Sequence, residues 1–324
     1  MSSSLSYYPI PSNMALVIVG ASGKLGFATL NSLLDDGYIA SEIVCTTSSD
    51  TGAQKLSTFE QKGGCVRRVN WDDDHEAWQA ALSGCDKLFL ISSARINKDF
   101  NDAPPGQGRE EDHFRALEAA SDAGVKHVYY TSLAFANPSK SRVMTAHERT
   151  EAWLKEKWAG GYTIIREGLY NESWPLYFGY YYELQKDARD EVVVGGDSEI
   201  SWTSIADLGL ANALILAAPS QEWDQRTLYL AQKRTRSLKD VAALVSKAKG
   251  QDTVLQILSR TEHEAFYTWE RGMPKSDVTW WSYTYDALRD NECEIDDPTL
   301  EQLLARKGGK PKQMEETVAE MMKA

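Results

Sequence analysis

No stretch of this chain holds the ~20 consecutive apolar residues that a membrane-spanning helix needs, so no spanning segment is expected. Met1 to Asn13 carries neither a basic start nor an apolar core, and no secretory signal is expected in it. Cysteine is scarce: Cys45, Cys65, Cys85 and Cys293 lie far apart, and no Cys-x-x-Cys pair points to zinc or a redox motif. No metal site is expected, and a reduced, cytoplasmic compartment fits that usage. Positive charge is short too, with 35 Lys and Arg against 47 Asp and Glu. The resulting formal charge of −12 repels a phosphate polymer, and no local basic patch reverses it. Neither nucleic acid nor a membrane is an expected partner. Internal repeats and low-complexity tracts are absent.

A composition of 42% hydrophobic and 25% charged residues over 324 positions can bury one large core, with or without a smaller lobe. The stretch that organises it is Leu16 to Gly26. Four apolar residues, Leu16 to Val19, make a short buried strand; the chain breaks on Gly20, Gly23 and Gly26, and an apolar-periodic helix follows through Phe27, Leu30, Leu33 and Leu34. Strand, glycine turn and helix form a phosphate cradle. The unpaired N–H groups and positive dipole end of the helix can meet a pyrophosphate, and each glycine removes a Cβ from the approach. Gly20, Ser22, Gly23, Lys24, Leu25 and Gly26 are the expected cofactor contacts here. The Gly-x-x-Gly-x-x-Gly spacing differs from the Gly-x-Gly-x-x-Gly of the commonest dinucleotide-binding dehydrogenases.

Beyond the cradle, strands and helices alternate regularly as far as Arg166, which predicts a Rossmann-type, doubly wound parallel α/β sheet. The second strand ends on Thr46-Thr47-Ser48-Ser49, with neither an acid to hold an adenosine ribose nor an arginine for a 2′-phosphate. Hydroxyls at Thr46, Thr47 and Ser48, with help from Lys55, favour NADPH over NADH; a polar loop touching nothing is the alternative. Asp72 is placed to meet the adenine edge, and Asp74 reads as a helix N-cap. The fourth strand runs through Ile91 to end on Ser92-Ser93, the fifth ends on Thr131-Ser132, and these tips face the ligand crevice of a doubly wound sheet.

After Arg166 the pattern changes. Gly168 to Tyr182 is dense in aromatics, and Trp269, Trp280, Trp281, Tyr283 and Tyr285 follow later. The expected organisation is an N-terminal extension over 1–13, a dinucleotide-binding domain over 14–166, and a smaller α/β substrate lobe over 167–324, some of whose segments return to the main sheet. The lobe aromatics either wall a pocket or fill a core.

Six motifs in order give the chain a family likeness. They are Gly20-Ala21-Ser22-Gly23-x-x-Gly26, Leu90-Ile91-Ser92-Ser93, Tyr130-Thr131-Ser132-Leu133, His147-x-x-Thr150-Glu151-x-x-Leu154, Arg166-Glu167-Gly168-x-Tyr170-x-Glu172, and Ile200-Ser201-Trp202-Thr203-Ser204-x-Ala206-Asp207. With them the chain resembles the NmrA-like, atypical branch of the short-chain dehydrogenase/reductases, and within it the type 2 NAD(P)H:quinone oxidoreductases. Ordinary members of that superfamily carry a serine and a Tyr-x-x-x-Lys proton relay. Ser132 matches the serine, but Val143 stands at the tyrosine place and His147 at the lysine place.

The resemblance therefore implies a cofactor site without the usual acid. Hydride transfer to a carbonyl builds a basic alkoxide, whereas transfer to a quinone builds a delocalised phenolate that needs less acid help. His147 is expected to hold the nicotinamide ribose or shuttle a proton, with a structural tie to Glu148 or Glu151 as the alternative. Thr131, Ser132 and Tyr170 complete the expected cofactor contacts, and Ser132 and Tyr170 join His147 as candidate catalytic groups. Tyr170, Glu172, Trp174, Trp280 and Trp281 are the expected substrate contacts. The implied activity is NAD(P)H-dependent reduction of a quinone-like or conjugated aromatic carbonyl compound. A non-catalytic dinucleotide-binding redox sensor, or a reductase dedicated to one bulky natural product, are the alternatives. A homo-oligomer stays open.

Overall fold

A computed structural model describes residues 15–184 and 186–323; the expected N-terminal extension lies outside the described residues. The first half alternates as the periodicity predicts. Strand β1 (Ala15–Val19) leads into helix α1 (Lys24–Asp35), then β2 (Ile43–Thr47), α2 (Asp50–Lys55), α3 (Ser57–Gln61), β3 (Cys65–Arg68), α4 (His75–Leu82) and β4 (Cys85–Leu90). There follow α5 (Glu110–Asp122), β5 (His127–Leu133), α6 (Thr145–Lys157) and β6 (Gly161–Glu167).

The rest of the chain is more irregular. It comprises β7 (Leu169–Tyr170), α7 (Trp174–Tyr177), β8 (Glu191–Val194), β9 (Trp202–Thr203), α8 (Ile205–Ala217), β10 (Arg226–Leu230), α9 (Leu238–Lys249) and β11 (Val254–Ile257). Helices α10 (Arg260–Ala265), α11 (Lys275–Arg289), α12 (Thr299–Ala305) and α13 (Met314–Met321) complete it.

Seven strands form one parallel sheet in the order β10-β6-β5-β4-β1-β2-β3. Strand β1 is buried along its whole length, and its side chains alternate between two cores. Leu16 and Ile18 pack with Leu25, Leu30, Leu208 and Ile215 from α1 and α8, while Val17 and Val19 pack with Trp78, Leu117 and Leu154 from α4, α5 and α6. Burial on both faces is why the parallel strands read as continuous apolar runs. Helices α1 and α8 pack so closely that a Cβ at Gly209 would lie 2.7 Å from that of Ala28.

The chain winds outward from β1 through β2 to β3, then returns to β1's other side with β4. That reversal opens a crevice beyond the strand ends, between the tips of β1 and β4. Strand β10 pairs with β6, and α8 and α12 join the α1 side of the sheet, so these later segments build the main domain. The other later segments make a lobe with its own core. Strand β8 pairs with β11 and β7 with β9, covered by α9, α11 and α13; Trp174, Phe178, Trp202, Val241 and Tyr285 are buried inside it.

Candidate active site

The cradle stands at the switch point. Gly20 takes φ +85°, a left-handed conformation that side chains disfavour, and a Cβ there would touch Ile91 on the neighbouring strand tip at 3.4 Å. Gly26 is required by contact: its Cβ would come within 2.4 Å of the Gly20 carbonyl oxygen. Helix α1 starts at Gly23 without a side-chain cap and without an acid in its first turn, so its leading N–H groups and dipole end are left for an anion. Lys24 is exposed beside them, whereas Leu25 is buried and packs into the core. These residues fit a pyrophosphate.

The tip of β2 lies next to the cradle. Thr46 and Thr47 are buried, Ser48 is exposed, and the Ser22 and Thr47 hydroxyl oxygens are 3.2 Å apart. Lys55 donates to the Ser22 carbonyl at 3.0 Å, and Arg68 ends β3 opposite Thr47, paired with Asp50. Arg68 was missed from sequence because only the strand register brings it beside Thr47. Asp74 caps α4 by accepting from the Ala77 N–H at 2.9 Å, as its position predicts. Asp72 is exposed and pairs with Arg95 at 2.8 Å.

Next to the cradle, a cavity of about 240 Å³ opens over the tips of β4, β5 and β6. Ile91, Ser92, Ser93, Thr131, Ser132 and His147 form its sheet side, and Leu133, Leu169, Tyr170, Leu176, Tyr177 and Trp281 its apolar side. Among the described residues Arg109 is the single charged side chain on the lining, and it is neutralised by a buried ion pair with Asp99 at 2.6 Å. Arg109 also donates to the carbonyls of Ser93 and Val143, so the residue at the superfamily's tyrosine place holds a lining side chain through its backbone.

Two polar chains fix the sheet side. In the first, Ser132 Oγ donates to Glu151 Oε1 at 2.6 Å, and Glu151 is clamped by Arg166 through Nε at 3.0 Å and Nη2 at 2.7 Å. Asn137 and Tyr229 extend this buried group. In the second, the Ser92 N–H donates to Thr131 Oγ1 at 3.0 Å and the Ser93 N–H donates to His113 Nε2 at 2.9 Å, while the Tyr130 hydroxyl lies 3.0 Å from His147 Nδ1. Burial, with Arg109 nearby, holds both His113 and His147 well below the usual histidine range, so both are neutral at pH 7. His147 is thus tied to Tyr130, not to Glu148 or Glu151; Glu148 accepts from the Ser139 N–H instead.

Of the five expected substrate contacts, Tyr170 and Trp281 line the cavity. The Tyr170 hydroxyl has no hydrogen-bond partner among the described residues, and burial followed by the Glu167 and Glu172 carboxyls raises its pKa. The other three are placed elsewhere. Glu172 accepts from the Ile205 N–H at 3.1 Å, where its negative charge suits the start of α8. Trp174 is fully buried against Phe178 and Tyr181, and Trp280 meets Phe100 at a tilted 56° with the Arg109 guanidinium 6.0 Å from its ring centre. Tyr130, His113, Arg109 and Arg166 are among the site-forming side chains to which sequence reasoning assigned no role; two of them sit in quoted motifs, but their partnerships cross elements.

The model of a family described as NAD(P)H-binding matches residues 20–215, which takes in the cradle, the strand tips and the start of the lobe. The chain belongs to the NAD(P)H-binding family. It is 30% identical to Quinone oxidoreductase 2 of Escherichia coli K12 over 252 residues, 77% of this chain and 80% of that protein. An NmrA-like family domain-containing oxidoreductase of Aspergillus flavus is 29% identical over 254 residues, 77% of this chain and 76% of that one. The NmrA-like resemblance and the Rossmann-type fold are both borne out. Among solved structures, an Escherichia coli NADPH-dependent quinone oxidoreductase complexed with NADPH superposes with a TM-score of 0.78 at 27% identity, covering 94% of this chain and 99% of that one. A Citrobacter triphenylmethane reductase gives 0.78 at 25% identity, covering 96% and 100%.

Proposed function

We propose that this NAD(P)H-binding protein is an NADPH-dependent reductase of neutral quinone-like or conjugated aromatic carbonyl compounds. The observation that carries the reading is the pairing of an intact pyrophosphate cradle with an adjoining cavity that is aromatic on one side and offers no ionised acid on the other. Lys55 beside Ser22 and Arg68 opposite Thr47 favour the 2′-phosphate of NADPH over NADH. When bound, the nicotinamide supplies a hydride.

Leu133, Leu169, Tyr177 and Trp281 bind and orient a flat apolar acceptor and keep water from its ring. Neutral His147 and the free hydroxyl of Tyr170 are the polar groups we assign to cofactor ribose and acceptor oxygen. Hydride addition leaves negative charge on that oxygen. For a quinone the product is a phenolate-type anion whose conjugate acid has a pKa near ~10. An alkoxide is closer to water, ~15.7. Only the first is stabilised adequately by hydrogen bonds alone, and solvent supplies its proton. The Escherichia coli relative's name supports the same acceptor class.

A second reading, a redox sensor that binds the dinucleotide without turnover, is favoured by the engagement of Ser132 with Glu151 and by the lack of an ionisable acid at the Val143 place. Isothermal titration and steady-state oxidation of NADPH with benzoquinones separate the two. Preference for NADPH with turnover supports the reductase; equal affinity for both redox states and no turnover with any electrophilic acceptor overturns it.

A further inference from the structure

Building on the reductase reading, the geometry points to a fixed hydrogen-bond order running from His113 through Tyr130 to His147, which makes His147 a permanent Nε2–H donor to the cavity and makes His113 and Tyr130 positioning residues. The order starts from a bond of fixed direction. The Ser93 backbone N–H lies 2.9 Å from His113 Nε2 and can only donate, so that nitrogen carries no proton. Neutral His113 therefore holds its proton on Nδ1. Nδ1–H faces Thr150 Oγ1 at 2.8 Å, and the Thr150 hydroxyl spends its own proton on the Ala146 carbonyl at 2.7 Å.

The Tyr130 hydroxyl sits between the two imidazoles, 3.4 Å from His113 Nδ1 and 3.0 Å from His147 Nδ1. Since His113 Nδ1 is already a donor, the nearer imidazole nitrogen, His147 Nδ1 at 3.0 Å, is the acceptor assigned to the Tyr130 proton, ahead of the Thr150 and Ser92 hydroxyls that also face it. His147 Nδ1 is then an acceptor, and the proton of its neutral ring resides on Nε2. Among the described residues Nε2 has no hydrogen-bond partner, and His147 lines the cavity. A second consequence reaches the same wall. By accepting from Ser93, His113 also sets the tip of β4, so one buried histidine orients both a strand end and the donor opposite it.

At the place that matches the lysine of ordinary short-chain dehydrogenase/reductases, this chain presents an uncharged donor whose direction is set from behind. Such a group stabilises an anionic oxygen by hydrogen bonding and does not cycle its proton. This role is absent from the sequence because Tyr130, His113 and His147 belong to β5, α5 and α6, and only their packing makes the order.

Nitrogen NMR of the full-length protein labelled with [15N]histidine decides it, with the His147 signals assigned from the spectrum of His147→Gln. The expected spectrum has a pyridine-type Nδ1 and a pyrrole-type Nε2 at His147 throughout pH 6–8, and the reverse arrangement at His113. Tyr130→Phe, if folded, gives His147 a mixture of tautomers and lowers kcat/KM for NADPH with benzoquinone about tenfold while circular dichroism is unchanged. A pyrrole-type Nδ1 at His147, or an imidazolium at pH 7, overturns the relay whatever the turnover. The expected spectrum in a protein that never oxidises NADPH overturns the reductase reading alone.

Discussion

Ser132 Oγ lies 2.6 Å from Glu151 Oε1 and donates to it, so the hydroxyl that matches the superfamily's catalytic serine faces a buried ion pair. Glu151 and Arg166 neutralise each other where water cannot reach. Removing one partner of such a pair costs ~3–5 kcal/mol because the other charge is left uncompensated. Glu151→Ala is expected to lose that much in urea denaturation. Ser132→Ala removes one hydrogen bond to a charged group, ~1.5–3 kcal/mol, and lowers kcat less than tenfold. A thousandfold loss of kcat in a stable Ser132→Ala protein would put the hydroxyl in the chemistry.

Gly23 separates binding from folding. It caps α1 in an extended conformation, φ −69° and ψ 173°, that aspartate can adopt; a Cβ there would press on the Gly20 carbonyl oxygen at 3.1 Å, a cost offset by an aspartate cap that is as good as glycine or better by a few tenths of a kcal/mol. The same carboxylate would occupy the place expected for the pyrophosphate. Gly23→Asp should therefore leave the melting temperature within a few degrees while weakening NADPH binding ~100-fold or more, ~2.7 kcal/mol by titration calorimetry. Loss of stability and affinity together would mean that the glycine serves the helix only.

Glu167 gives the protein a stability profile of unusual sign. Burial pushes its carboxyl up to about 8, against the lowering effect of the Asn212 side chain, which donates to Oε1 at 2.8 Å. Glu167 Oε2 and Asn212 Oδ1 are both buried without a partner among the described residues, and a proton on the carboxyl can serve both. Because the folded pKa exceeds the unfolded one, the contribution is complete below about pH 4.5 and is lost as pH rises towards 8. At about 1.4 kcal/mol per unit, the loss is a few kcal/mol. Glu167→Gln keeps a donor and an acceptor for Asn212, so it should raise stability at pH 8 and change it little at pH 5. A constant difference at both values would show that Glu167 does not hold the proton.

The cavity also sets a charge preference. Among the described residues its single charged side chain, Arg109, is cationic and compensated, and no carboxylate lines the wall. A delocalised cation entering it would be desolvated without a counter-charge. Neutral quinones are expected to be reduced with kcat/KM at least ~100-fold above that for a cationic triphenylmethane dye, ~2.7 kcal/mol. Equal efficiencies would mean that acceptors bind elsewhere.

What could be read from the sequence was what is local. Leu16 to Val19 announced a strand because both faces of β1 are covered, and Asp74 announced a cap because its partner is three residues away. The cradle was legible for the same reason, since Gly20 and Gly26 crowd each other within one turn. Glu172 was not, because its partner is the N–H of Ile205, and Trp174 and Trp280 were not, because an aromatic on a cavity wall and one in the core behind it look alike in a string of letters. Return of α8 and β10 to the main sheet was anticipated only in general terms, as their partners α1 and β6 lie far back in the chain.

The central claim is that an easily reduced acceptor makes a dedicated proton donor unnecessary. It is tested most directly by steady-state NADPH oxidation with a neutral benzoquinone and with an unactivated aromatic ketone of similar size, side by side. Turnover of the quinone with kcat/KM at least ~1,000-fold above the ketone, ~4 kcal/mol, is expected. Equal turnover of the two, or none with the quinone, would contradict it.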